Sequence, residues 1–253
     1  MSIVVAYKYA ANPQDTTVDP SGVVDWSRAK AAISEYDPVA VQVGRSLADS
    51  LGTDVVGISV GTSAVASSMA KKGALSRGMD RALVLADDAT TTWNATTVAS
   101  ALAGLVGKVE GTTLVLAGDS SIDESAKIVP TLIAGFLGWP CFQEVTAIEA
   151  AGNGWTLTQS TAGGTRTITV DGPVVAAVAT DAAPVKVPGM KDILAAGKKP
   201  LDEVPAGDLA PTTVTLEVTG RAKPVAKARR NEMFTGDDAA AQLVAALRNA
   251  GAL

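Results

Sequence analysis

A chain of 253 residues with 47% apolar content has ample material for a buried core, and with Cys141 as its single cysteine it must fold without disulfide staples. It contains no histidine, which excludes a Ser-His-Asp triad, a Cys-His pair and a histidine-bearing zinc site. A net charge of -5 with 4% aromatic residues argues against a nucleic-acid binder, which would present a basic face and stacking rings.

Met1-Ser2 leads directly into Ile3-Val4-Val5-Ala6 with no basic region, apolar stretch or small-residue cleavage site of a leader. The longest apolar runs, such as Val174 to Ala179, fall far short of the roughly 20 residues of a membrane helix, so a soluble cytoplasmic protein is expected. Short apolar or β-branched runs alternate with amphipathic stretches through the first 180 residues, the pattern of βαβ units and a parallel sheet. The expected strands are Ile3 to Tyr7, Val55 to Val60, Ala82 to Ala86, Thr113 to Ala117 and Val174 to Thr180. Tyr36-Asp37-Pro38 precedes the first helix, with Asp37 reading as its N-cap and Pro38 as its first residue. Apolar stripes at Val39, Val43, Leu47 and Leu51, at Val98, Leu102, Leu105 and Val109, and at Val129, Leu132, Ile133, Phe136 and Leu137 predict three buried helix faces. Gly138 offers a stop to the third, and Cys141 follows as a buried packing thiol.

After about residue 140 the texture changes, and Trp155 to Val170 predicts a hairpin turning at Ala162-Gly163-Gly164. Pro184, Pro188, Pro200, Pro205, Pro211 and Pro224 are too frequent for a packed helical layer and predict an extended arm. The arm ends in a helix from Asp237 or Asp238 to about Asn249. Within it, Arg221 to Arg230 carries five cations and no acid, which suits either a solvated arm or a dock for an acidic partner. The division expected is an α/β core over 1–183 and a recognition loop with C-terminal arm over 184–253.

Parallel sheets bind ligands beyond the carboxyl ends of their strands. Ser59-Val60-Gly61-Thr62 and Gly118-Asp119-Ser120-Ser121-Ile122-Asp123-Glu124-Ser125 occupy such places, and Asp119 or Asp123 could accept from ribose hydroxyls. Neither stretch is a GxGxxG or P-loop fingerprint, so nucleotide binding and an ordinary capped turn both remain open. Asp123-Glu124 reads as dipole compensation for a helix more readily than as an acid/base pair.

Several segments, in order, carry a family likeness: Tyr7-Lys8, Gln14-Asp15, Ile33-Ser34-Glu35-Tyr36-Asp37, Ser59-Val60-Gly61, Leu75 to Asp80, Gly118 to Asp123, and Pro188 to Leu194 with Lys198-Lys199-Pro200. Together they resemble the β subunit of an electron-transfer flavoprotein, closest to the FixA-like branch, over nearly the whole chain. The resemblance implies a Rossmann-like parallel sheet with helices on both faces, a small antiparallel hairpin insertion and an extended C-terminal arm. It implies an electron carrier without catalytic residues, paired with an FAD-binding α subunit (FixB-like). Electrons would pass from a donor dehydrogenase to a quinone reductase or ferredoxin-type acceptor.

In many such subunits a structural AMP is bound, and in bifurcating ones a second FAD takes its place. By position, the resemblance assigns the nucleotide environment to Ala6, Ser34, Tyr36, Asp37, Val60, Gly118, Asp119, Ser121, Asp123, Lys127, Ile128 and Val129. It assigns partner recognition to Met190, Lys191, Ile193 and Leu194. Where the family commonly continues its nucleotide loop with Gln and, two residues on, Gly, this chain reads Lys127-Ile128-Val129-Pro130. Pro130 has no N–H to donate and Ile128 no side-chain hydrogen bond, so weakened AMP or FAD binding is expected, with Lys127 compensating in part. A homodimeric adenine-nucleotide-binding regulatory protein of related fold is the competing reading. The long segment after the last core strand argues against it.

Overall fold

Ile3 and Val5 of the first strand bury on one side while Val4 and Ala6 bury on the other, as expected of a strand covered on both faces. The computed structural model describes residues 1–216, 219–220, 222, 224–226, 228 and 231–253. The five cations of the predicted basic run, Arg221, Lys223, Lys227, Arg229 and Arg230, lie outside the described residues. Two compact units form, Met1–Glu217 and Val218–Leu253.

The first unit runs β1 (Ser2–Ala6), β2 (Tyr9–Ala11), β3 (Thr17–Val18), β4 (Val24–Asp25), β5 (Ala31–Ile33), α1 (Asp37–Leu51), β6 (Val55–Gly61), α2 (Ser68–Leu75), β7 (Arg81–Ala86) and α3 (Ala95–Gly107). It continues with β8 (Thr112–Gly118), α4 (Val129–Leu137), β9 (Cys141–Ala151), β10 (Gly154–Thr161), β11 (Gly164–Asp171), β12 (Val174–Val178), α5 (Met190–Ala196), β13 (Leu201–Glu203) and α6 (Ala206–Leu209). Nine strands form one sheet in the order β11-β10-β9-β12-β8-β1-β6-β7-β13. It is parallel except for the antiparallel β9-β10-β11 meander at one edge. Residues of α1, α2 and α5 join the core on one face, and residues of α3, α4 and α6 pack on the other. This is the mixed α/β, Rossmann-like architecture expected.

Of the predicted buried line of α1, Val39 is buried as expected, but the rest of the line is not. Ala40, Gly44 and Ala48 lie against the sheet, whereas Val43 and Leu47 are half-buried and Leu51 is exposed. A Cβ on Gly44 would come within 3.2 Å of Leu116 and Val5, so small residues set how closely this helix approaches. In α4, Ile133 and Ala134 are buried but Phe136 is exposed. Gly138 adopts the left-handed conformation that ends that helix, as its position predicts.

The predicted hairpin is β10-β11, with Thr161 opposite Gly164. A third strand, β9, accompanies it. Trp155 anchors the meander, fully buried and donating its indole N–H to the Thr113 carbonyl at 2.9 Å.

Residues 184–216 depart from the predicted extended arm. There α5 packs against α2, and β13 adds a parallel strand to β7. Lys199 fixes this return by donating to the carbonyls of Leu75 at 3.1 Å and Met79 at 2.6 Å. The second unit contains α7 (Ala239–Asn249), close to the predicted helix and with no buried residue. No helix among the described residues is long and apolar enough to cross a membrane.

Candidate functional site

The carboxyl ends of β1, β6 and β8 open onto a cleft of about 530 Å³, within the range of roughly 300–1,000 Å³ of small-molecule sites. Ala6 ends β1, Val60 and Gly61 end β6, and Gly118 ends β8, so parallel pairing brings three chain-distant segments to one rim. Asp119, Ser121, Asp123, Lys127, Ile128 and Val129 form the wall after β8, and Asp37 closes the floor from the start of α1.

Ser34 and Tyr36 do not line the cleft, unlike the other residues assigned by resemblance to the nucleotide environment. Both act on its frame. The buried Ser34 hydroxyl accepts from the Ile122 N–H at 3.3 Å, tying the loop after β8 to the segment before α1. A Cβ on Gly118 would stand 2.7 Å from the Tyr36 carbonyl, so only glycine permits this crossing.

Asp37 is not the N-cap predicted for α1. Tyr36 holds that position in helical conformation, and Asp37 is the first helical residue. Its carboxyl accepts instead from the backbone N–H of Lys8 at 2.7 Å, and the nearby Gly118 N–H also favours the charged form. Burial drives its pKa up to about 7, against the pull of those two amides and of the Lys8 charge.

Two lysines sit on the rim, each between carboxylates. Lys8 Nζ lies 2.7 Å from Asp123 and 3.9 Å from Glu124. Lys127 Nζ lies 3.0 Å from Glu144 and 3.2 Å from Asp119. Burial would raise the Asp123 pKa, but the hydrogen bond and charge of Lys8 outweigh it and hold the carboxyl below its ordinary range. Hydrogen bonds to Glu144 and Asp119 push the Lys127 ammonium above its ordinary value.

Behind Lys127, Gln143 donates to the Lys127 carbonyl at 3.2 Å, Gln159 to the Gln143 carbonyl at 2.6 Å, and Arg166 to Gln159 at 3.0 Å. The cleft wall is thereby joined to the meander by hydrogen bonds. Cys141, which opens β9, is half-buried rather than buried, and burial raises its thiol pKa, as suits a packing residue more than a nucleophile.

Sequence reasoning missed part of the lining, where Thr90, Thr91, Trp93, Val98 and Leu102 stand. Asn94 offered a signal for it. Its side chain caps α3 by accepting from the Thr96 and Thr97 N–H groups, which fixes the helix start beside the cleft.

The model of the electron transfer flavoprotein domain family matches residues 21–209. The chain belongs to that family. The match takes in α5, β13 and α6, so the return after residue 184 is part of the electron transfer flavoprotein domain. Proteins of this family are electron carriers rather than catalysts, and they use flavin.

The residues present fit one part of a nucleotide better than the other. Asp119 Oδ1 and Ser120 Oγ are buried in this wall with no hydrogen-bond partner, which suits a ligand bringing hydroxyl groups. A phosphate fits poorly, because Pro130, the second residue of α4, offers no N–H and both lysines are already paired.

Proposed function

We propose that this chain is the β subunit of a heterodimeric electron-transfer flavoprotein of the FixA-like branch. Membership of the family over residues 21–209 carries the reading. A second feature supports a partner-bound life: Val187, Met190 and Leu194, around the start of α5, are 83%, 73% and 64% exposed. Apolar exposure grouped in this way marks an interaction surface. With Lys191 exposed and Ile193 half-buried beside them, it forms the surface that would meet an FAD-binding α subunit of the FixB-like type.

In this reading the FAD, held mainly by the α subunit, supplies reversible redox chemistry, carrying electrons from a dehydrogenase to a quinone reductase or ferredoxin-type acceptor. The chain contributes the docking element and a separate cleft, at the position where related subunits hold AMP or a second FAD.

Co-expression with an FAD-binding α subunit should give one complex that elutes with flavin absorbance, and the chain purified alone should be colourless. Stoichiometric FAD kept by the isolated chain would contradict the division of labour. Failure to associate with any such α subunit, with elution as a homodimer, would favour the regulatory reading.

A further inference from the structure

The charge balance of the cleft narrows the ligand it can hold. Among the described residues, two lysines, Lys8 and Lys127, face four carboxylates, Asp37, Asp119, Asp123 and Glu124. Each lysine is already held by two carboxylates, so an incoming phosphate would have to displace acids from an ammonium group and then remain beside them.

Three of the loop's backbone donors are also committed. The Ile122 N–H donates to Ser34, the Glu124 N–H to Asp123 and the Ser125 N–H to the Ser121 carbonyl. The N-terminus of α4 offers roughly half a positive charge, too little to offset an excess of two carboxylates, or of one when Asp37 is protonated.

The same wall still asks for a donor. Asp119 is only 7% exposed and its Oδ1 has no partner. Val60, Val98 and Leu102 also line the cleft and offer it apolar contact for a flat ring.

We propose that the cleft takes a neutral nucleoside, its hydroxyl groups toward Asp119 and its ring against Val60, Val98 and Leu102, and disfavours the phosphorylated form. This rests on the subunit reading above and narrows the ligand of that cleft.

Equilibrium dialysis of the full chain against labelled adenosine and labelled AMP, at low and high salt, tests it. Adenosine should bind about ten-fold more tightly than AMP at low ionic strength, and added salt should strengthen AMP binding by screening the repulsion. Glu124→Gln, at a solvent-exposed position, should improve AMP binding more than adenosine binding. AMP binding as tightly as adenosine or more so, or weakening as salt is added, overturns the proposal. So does retention of neither probe, while co-elution with the α subunit, which depends on neither, judges the subunit reading separately.

Discussion

Asp37 stands between opposing demands: backbone amides and the Lys8 charge favour its carboxylate, while burial favours the neutral acid, and burial prevails with a pKa of about 7. A carboxyl whose pKa is raised on folding binds its proton more tightly in the folded state. Its contribution to stability is therefore fully present below the unfolded value of 3.8, declines as pH rises, and is lost above about 7. Replacing Asp37→Asn should remove this component. Urea midpoints of both proteins between pH 4 and 8 should show the variant gaining on the parent as pH rises, by on the order of 3–4 kcal/mol across the window. A constant difference would show that Asp37 does not titrate there. Asp37 is legible at a helix start, but its pairing with the Lys8 N–H, in the link after β1, and its nearness to Gly118 at the end of β8 arise only when the fold brings these segments alongside. Asp119 and Asp123 were legible because a loop following a buried strand points to the sheet's carboxyl edge.

Among the strands of the parallel part of the sheet, those buried on both faces were the ones legible in the sequence. β1, β6, β7, β8 and β12 are nearly uninterrupted apolar runs and lie within a residue or two of their predicted bounds. β9 was hidden because Glu144, at φ 51°, breaks its alternation where the pairing shifts. β13 was hidden because Leu201-Asp202-Glu203 is too short to carry a pattern, and the prolines around it suggested an arm. α4 carries its own test. Changing Ile128→Gln and Pro130→Gly together adds an amide group and a backbone N–H to the cleft wall. One charge-assisted bond to phosphate, roughly 1.5–3 kcal/mol, should tighten AMP binding about ten-fold or more, as read by calorimetry. Equal affinities before and after would place any phosphate away from this helix.

The molecule divides unevenly, with the extended sheet and its two cores in Met1–Glu217 and an exposed helix in Val218–Leu253. Leu243 and Val244 of α7 remain 48% and 39% exposed, so the second unit has little core of its own. Removing residues 218–253 should leave thermal melting of the first unit nearly unchanged and weaken its co-elution with an α subunit. A large drop in melting temperature would show that the second unit supports the first. Undiminished association would confine docking to the surface around α5.

The central position of β1 also bears on synthesis. Its two partners are encoded far downstream, β6 at residues 55–61 and β8 at 112–118, and both pairings are parallel. At about 5–20 residues per second, β8 leaves the ribosome roughly 5–20 s after β1. Throughout that interval one of the most apolar segments of the protein lacks a complete sheet to enter, so the parallel pairings on both its sides are long-range steps that wait on synthesis.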